Sequence, residues 1–333
     1  MSTVRWGILG CGFITGQAIA PALQALGNAT LHSALSRDPT KADAFCAPYG
    51  AIGSADRDRF LNDPELDAVY VATPNFRHAE DVIACAVAGK HVLCDKPLAD
   101  DAVQAAAMVE ACARAGVKLG VGFQLRFHPA HLEMRRRIGA GDLGTLSHAA
   151  ASMCFRYPDG PSEWRKDLRQ AGGGWATNDL GSHLVDLLVS LLGPVRQVHA
   201  VLSHRVYGYA GEDLGSALLE FDNGVVATWV CSTGTNAPAS QLAVFGSDGY
   251  LQAEGTLGLV PGGTLTAGDG TRAQGLDYAF DHPTLYHAEL NAFSEAIRHD
   301  EPYAVPGEDG LSVAKVLDAV RRSANERRAV TVT

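Results

Sequence analysis

The chain has 333 residues, 47% of them apolar and 19% charged, with 36 glycines. That length favours two domains, and the composition excludes a disordered, collagenous or disulfide-scaffold protein. A formal charge of −10 offers no global positive field to nucleic acid or an anionic membrane.

No apolar run is long enough to span a bilayer, and the stretch from Met1 to Trp6 lacks the basic-then-apolar order of a secretory leader. A cytoplasmic protein is expected. The seven cysteines (Cys11, Cys46, Cys85, Cys94, Cys112, Cys154, Cys231) are odd in number and contain no C-x-x-C. They read as reduced core thiols, and Cys11 has no basic sequence neighbour to make it a reactive thiolate.

The pattern predicts a strand over 4–10, a helix over 14–26 and a strand over 30–36. A short helical segment at 58–62 precedes a buried strand at 68–72, a helix at 76–88 and a strand at 91–94. A helix at 100–115 and a strand at 117–121 complete the alternation expected of a parallel sheet covered on both faces. Gly89 and Gly116 end their helices, because glycine enters the left-handed region without a Cβ penalty.

After residue 122 the style changes. A helix at 131–138 leads into period-two segments at 145–157, 195–207, 215–221, 225–231 and 242–245, with Asp222-Asn-Gly224 as a hairpin turn. A helix near 179–192 interrupts them, and helices at 284–299 and 310–324 close the chain. The predicted class is α/β. A doubly wound parallel domain spans 1–121, and an α+β domain with a large, mostly antiparallel open sheet spans 122–333.

Gly10-Cys11-Gly12-Phe13-Ile14-Thr15 lies where the first strand becomes a helix. This is the G-x-G-x-x-G turn of a Rossmann domain, with threonine in the third place. Gly10 permits the tight turn, and Gly12 lets backbone approach a pyrophosphate on the helix N-terminus. The second strand ends in Ser36-Arg37, with Lys41 one turn on, where an NAD-specific site would carry an acid. A hydroxyl and two cations suit a 2′-phosphate, so NADP is preferred, with NAD also accommodated. Asp38 is placed to pair with either cation.

Three further segments carry polar groups that a structural sheet does not need. Thr73 to His78 follows a buried strand, at the strand ends where ligands gather. Lys96 follows another strand, where an ammonium can hydrogen-bond an alcohol or carbonyl oxygen as hydride moves. Gly172 to Asp186 places Asp179 and His183 four apart on a helix, with Asp186 three beyond, over a stripe of Leu180, Leu184, Leu187, Leu188 and Leu191. The imidazole of His183 can take and return a substrate proton, and Asp179 can orient it. Lys96 and His183 meet only if the active site is an interdomain cleft.

His128 and His131 are separated by Pro129 with no acid or thiol cluster to complete a metal site, so no metal is expected. Arg135, Arg136 and Arg137 read as a solvated helix face. Trp175, after three glycines, either caps a pocket or packs.

Taken together, these segments resemble the glucose–fructose oxidoreductase/inositol dehydrogenase (Gfo/Idh/MocA) family along essentially the whole chain. Ala88 to Pro97 is similar to its A-G-K-H-V-x-x-E-K-P signature, and Gly172 to Asp186 is similar to its glycine-rich segment bearing Asp and His. The resemblance implies an NAD(P)-dependent oxidoreductase acting on a secondary alcohol or carbonyl of a sugar, polyol or sugar derivative. It implies a homodimer or homotetramer through the second-domain sheet. It puts Lys96 at the reacting oxygen, Asp179 as its polar partner and His183 as acid/base.

A nearer resemblance, to NADP-dependent anhydrofructose reductases, implies cofactor contacts from Cys11, Gly12, Phe13 and Ile14, and from Ser36, Arg37 and Lys41. It adds Ala72, Thr73, Pro74, Asn75, Phe76 and Arg77, then Asp95 and Lys96. Gly122, Trp164, Arg165 and Tyr286 complete the set, and Arg126 lines the cleft near substrate. Asp95 replaces the family's usual glutamate, and His183 stands where some relatives carry tyrosine. Two alternatives stay open. One is NAD-dependent glycoside cleavage by transient oxidation and elimination, with Asp186, Tyr157 or His282 as a second acid/base. The other is a non-catalytic dinucleotide sensor.

Overall fold

Parallel strands buried on both faces need continuous apolar sequence, and the first sheet has it. In the computed structural model, which describes residues 3–157, 167–258, 262–271, 273–277 and 282–333, the strands are β1 (Val4–Leu9), β2 (Ala29–Leu35), β3 (Ile52–Ser54), β4 (Ala68–Val71), β5 (His91–Asp95) and β6 (Leu119–Gly122). Trp6, Ile8, Val69, Val71, Val92, Leu93 and Val121 are fully buried. The order is β3-β2-β1-β4-β5-β6 with every pair parallel. The sheet winds outward in both directions from β1 and β4, and ligands of such sheets bind at the carboxyl ends of that pair.

Between the strands run α1 (Ala20–Ala25), α2 (Pro39–Cys46), α3 (Arg57–Leu61), α4 (His78–Val87) and α5 (Ala102–Ala115). A π-helical turn at Thr15–Ile19 leads into α1. Gly89 and Gly116 take the expected left-handed conformation, with φ of 72° and 68°. The sequence reading omits β3 and α2: β3 has three residues, and α2 buries only Ala42 and Cys46.

The chain divides into two units, residues 1–124 with 282–311 and residues 125–281 with 312–333. The sequence predicts one domain over 122–333, whereas α8 (His282–His299) packs on the first sheet. Trp6 Nε1 donates to Ser294 Oγ at 3.1 Å, and the Trp6 and Phe293 rings lie 5.6 Å apart. Tyr303 meets Phe293 edge-on at 4.9 Å. Asn28 donates to Asn291 at 2.9 Å and to Glu295. A Cβ at Gly120 would stand 2.7 Å from Tyr303 and 2.8 Å from Phe293.

Among the described residues the second unit is built on nine strands: β7 (Leu146–Arg156), β8 (Val195–Ser203), β9 (Leu214–Phe221), β10 (Val226–Ser232), β11 (Gly234–Gly246), β12 (Tyr250–Glu254), β13 (Thr264–Gly268), β14 (Ala273–Asp277) and β15 (Val330–Thr331). Their order is β14-β13-β12-β11-β7-β10-β9-β8-β15, antiparallel except for β7 with β10. Gly224, with φ 85°, closes the predicted hairpin between β9 and β10. The predicted strand over 195–207 stops at Ser203. The helices are α6 (Pro129–Ala140), α7 (Ser182–Leu192) and α9 (Gly307–Glu326), the last containing the unit boundary at 311/312. Among the described residues no helix is long and apolar enough to cross a membrane.

Phe293 is fully buried between Trp6 and Tyr303. Phe293→Ala is expected to cost about 3–5 kcal/mol in urea denaturation of the whole chain. A loss below about 1 kcal/mol would show that α8 is not part of the first core.

Candidate active site

The glycine turn is closed by contacts that only its own sequence allows. Gly10 has φ 109°, and a Cβ there would lie 2.6 Å from the carbonyl oxygen of Ala72, at the end of β4. The threonine in the third glycine position stitches the loop from within. Thr15, fully buried, accepts from the Gly12 amide at 2.9 Å and donates to the Gly10 carbonyl at 2.9 Å. The amides of Phe13 and Ile14 sit in the first turn of the following helix, where no intrahelical acceptor exists.

Two large apolar rings stand in solvent here, Phe13 at 76% exposure and Phe76 at 43%. A flat, anionic dinucleotide suits this crest: glycine for close approach, first-turn amides for a pyrophosphate and exposed rings for aromatic groups. Cys11 is buried, and burial pushes its thiol up to about 11, so it is an inert wall.

Ser36, Arg37 and Lys41 follow β2, with Arg37 and Lys41 exposed. Asp38 pairs with neither. Its carboxylate caps α2, accepting from the amides of Thr40 at 2.9 Å and Lys41 at 3.3 Å. Among the described residues Arg37 and Lys41 have no ion-pair partner.

The loops after β4 and β5 are tied together. Thr73 donates to the buried Asp81 at 2.9 Å, and Arg57 and Arg77 reach the other oxygen of that carboxylate at 2.9 and 3.1 Å. The ring of His78, 1% exposed, lies 2.8 Å from the Thr73 carbonyl and 2.9 Å from the Pro97 carbonyl. It thus joins the segment Thr73, Pro74, Asn75, Phe76, Arg77 to the loop that carries Lys96. Asp95 accepts from the Lys96 amide at 2.9 Å, and the Lys96–Pro97 peptide is cis. Gly122 pairs with Asp95 in register, and a Cβ on it would come within 3.2 Å of the Tyr70 hydroxyl. Tyr286, on α8, is buried in the same unit. Trp164 and Arg165 lie outside the described residues.

In the second unit every residue from 174 to 188 is buried except Asp179. The leucine stripe faces the core as expected, with Leu180, Leu184, Leu187, Leu188 and Leu191 all buried. Asp179 and His183 do not share a regular helix throughout, because Thr177–Gly181 is a π-helical turn that hands over to α7 at Ser182. The Asp179 carboxylate accepts from the Tyr157 hydroxyl. Asp186 is committed elsewhere. Arg126 grips it with Nε–Oδ2 at 2.8 Å and Nη2–Oδ1 at 2.6 Å, and the two side chains are 9% and 1% exposed. This buried, bidentate pair is structural for the helix as well as a candidate wall of the site.

Sequence reasoning missed Glu212. Its buried carboxylate accepts from Trp175 N at 2.8 Å, Thr177 N at 2.9 Å and Thr177 Oγ1 at 2.6 Å, fixing the start of the Asp179 turn. The signal available was two adjacent acids, Glu212 and Asp213, directly before an apolar strand. Trp175 packs, with 1% exposure.

His128 and His131 serve the fold. His128 caps α6 by accepting the Ala130 amide at 3.0 Å, and His131 bridges the Leu125 carbonyl at 2.7 Å and Thr256 at 3.0 Å.

A unit with a Rossmann sheet and a phosphate-ready glycine turn, and a second unit bearing an Asp/His segment, are the parts of a nicotinamide-dependent oxidoreductase. Residues 4–123 match the oxidoreductase family with NAD-binding Rossmann fold, and residues 131–252 match the GFO/IDH/MocA C-terminal domain. The chain belongs to the Gfo/Idh/MocA family. It is 34% identical to a D-xylose 1-dehydrogenase (NADP(+)) of Haloferax volcanii, covering 98% of this chain and 99% of the relative. It is 33% identical to a 1,5-anhydro-D-fructose reductase of Ensifer adhaerens, covering 98% of each. Its fold is similar to an aldose-aldose oxidoreductase from Caulobacter crescentus, crystallised with glycerol, at TM-score 0.91, 28% identity and 99% coverage of both chains.

Burial lowers the titration of His128 to about 3 and of His131 to about 4, against 6.5 for a free ring. Both are therefore neutral when folded and take up protons on unfolding below pH 6.5. Stability from these rings is complete above that pH and declines as pH falls towards 4, by at most roughly 1.4 kcal/mol per pH unit for each ring. Denaturation midpoints of the wild type and of His128→Asn/His131→Gln between pH 4.5 and 7 check this. The double variant is expected to flatten the acid-side slope, and an unchanged slope would contradict it.

Proposed function

We propose that this protein is an NADP(H)-preferring oxidoreductase that interconverts a secondary alcohol and a carbonyl on a sugar, polyol or sugar derivative. The observation that carries the reading is similarity over 98% of the chain to two enzymes named for sugar redox chemistry. Such names support net hydride transfer over elimination, and over a purely sensory role. Arg37 and Lys41, without an ion-pair partner among the described residues while Asp38 caps α2, support the preference for a 2′-phosphate. Ser36 contributes a hydroxyl to the same corner.

The cofactor contacts are assigned to Gly10, Cys11, Gly12, Phe13 and Ile14, to Thr73 through Arg77 with Ala72, and to Asp95, Lys96, Gly122 and Tyr286. Nicotinamide, when bound, supplies the hydride acceptor or donor. Lys96 hydrogen-bonds the substrate oxygen and stabilises negative charge developing on it. In oxidation His183 takes the hydroxyl proton, and in reduction it gives the proton back. Asp179 stabilises the charged forms of both, and Arg126 borders the substrate. Self-association through the nine-stranded sheet belongs to the same reading, supported by Val201 and Leu218, which are exposed on β8 and β9.

The test follows the nicotinamide absorbance with NADPH and NADP against a panel of aldoses, ketoses and polyols. Turnover is expected, and none across the panel would overturn the reading. Arg37→Ala is expected to weaken NADPH binding roughly tenfold and NADH binding hardly at all, since it removes one charge-assisted contact. Equal wild-type affinity for the two dinucleotides would overturn the cofactor preference.

A further inference from the structure

Residues 204–213, between β8 and β9, include Gly208 and Gly211 and are largely exposed up to Ala210. An unsupported segment of this kind loses much backbone entropy on ordering, yet this one is pinned. The Asp213 carboxylate, 1% exposed, accepts from the amides of Arg205 at 3.1 Å, Val206 at 2.6 Å and Tyr207 at 2.9 Å. Tyr207 then donates its hydroxyl to the Tyr157 carbonyl at 2.8 Å. Tyr157 in turn donates its own hydroxyl to Asp179. Glu212, next to Asp213, holds the other side by anchoring the turn that carries Asp179. The contacts thus run from Asp213 through Tyr207 and Tyr157 to Asp179, and return by way of Glu212.

The rings so placed form one cluster. Tyr207 and Tyr209 are parallel within 7° at 5.6 Å, and Trp175 lies 5.1 Å from Tyr207 and 5.7 Å from Tyr209. Tyr157 lies 5.7 Å from Trp175. Trp175 is buried behind, whereas Tyr157, Tyr207 and Tyr209 keep part of their surface in water. Burying an acid such as Asp213 without a cation costs desolvation, which three amides offset here. What that cost secures is the position of Tyr207 against Tyr157, whose own hydroxyl meets Asp179, and of Tyr209 stacked on Tyr207.

We propose that Tyr207 and Tyr209, with Tyr157, form an aromatic subsite that stacks the C–H face of a cyclic sugar bound at Asp179. The inference rests on the sugar-oxidoreductase reading above and narrows it from sugars and polyols to ring-form sugars. Tyrosine offers a flat, rigid apolar face at little entropic cost, and a pyranose ring has an apolar face of matching size. An open-chain polyol has no such face.

Steady-state kinetics with saturating NADP(H), together with calorimetric titration of the sugar into the cofactor-loaded enzyme, test this. Tyr209→Leu is expected to raise KM and the sugar Kd roughly threefold to tenfold for a pyranose, with far less effect for an acyclic polyol. The loss should fall on KM, with kcat changing less than about twofold. NADPH affinity, read by fluorescence, stays put. Tyr209→Phe and Tyr209→Trp, which keep a ring face, should recover the loss. An unchanged pyranose KM in Tyr209→Leu, or an equal loss in Tyr209→Phe, overturns the subsite. If Tyr209→Leu does not fold, the ring-keeping pair decides: either of them raising the pyranose KM by the amount expected for Leu overturns it, and retention by both supports it. Absence of wild-type turnover would instead overturn the oxidoreductase reading beneath it.

Discussion

At residue 10 there is room for a hydrogen atom and nothing more. The chain leaves β1 with φ 109° so close to the end of β4 that a methyl group would overlap the Ala72 carbonyl. That approach sets the crest of the first sheet, from which the helix N-terminus, the Ser36–Arg37 corner and the Thr73–Arg77 loop all open. Elsewhere such turns take a third glycine to pack helix on strand. Here a buried threonine hydroxyl satisfies both the Gly12 amide and the Gly10 carbonyl, so these two groups are paired without that glycine.

The second unit solves a comparable problem with charge. The turn that presents Asp179 is wider than an α-helix, and its leading amides need acceptors. Glu212 supplies one, Tyr157 approaches Asp179 from just beyond β7, and the Arg126–Asp186 pair locks the helix one turn later. Removing one member of a buried pair leaves the other charge uncompensated. The carboxylates that frame the site are thus tied to the fold, and Asp179 is the acid left partly open to solvent.

Much of this was legible in the sequence because it is local. Fully buried strands read as apolar runs, Gly89 and Gly116 as helix stops, and Gly10 to Thr15 as a tight turn from strand to helix. What escaped was short or distant. β3 is too brief to show a period, and β12 to β14 are short strands in glycine-rich sequence. Tyr157 meets Asp179 across 22 residues and Glu212 meets Thr177 across 35, so no spacing rule reveals them. Asp38 was readable as a helix cap from the proline that follows it, but its nearness to Arg37 and Lys41 suggested ion pairing instead. The return of 282–311 to the first unit depends on Trp6 meeting Phe293 and Ser294, a contact between opposite ends of the chain.

The proposed chemistry requires the Lys96 ammonium and the His183 imidazole to handle the same proton-bearing oxygen. Single-turnover hydride transfer in Lys96→Ala, His183→Ala and the double variant, with NADPH affinity measured alongside, tests that most directly. Each single change is expected to slow transfer roughly a hundredfold or more while cofactor binding persists, and the double change to add less than about tenfold, as for groups that act as a unit. Losses that multiply independently, or full transfer without the ammonium, would contradict it.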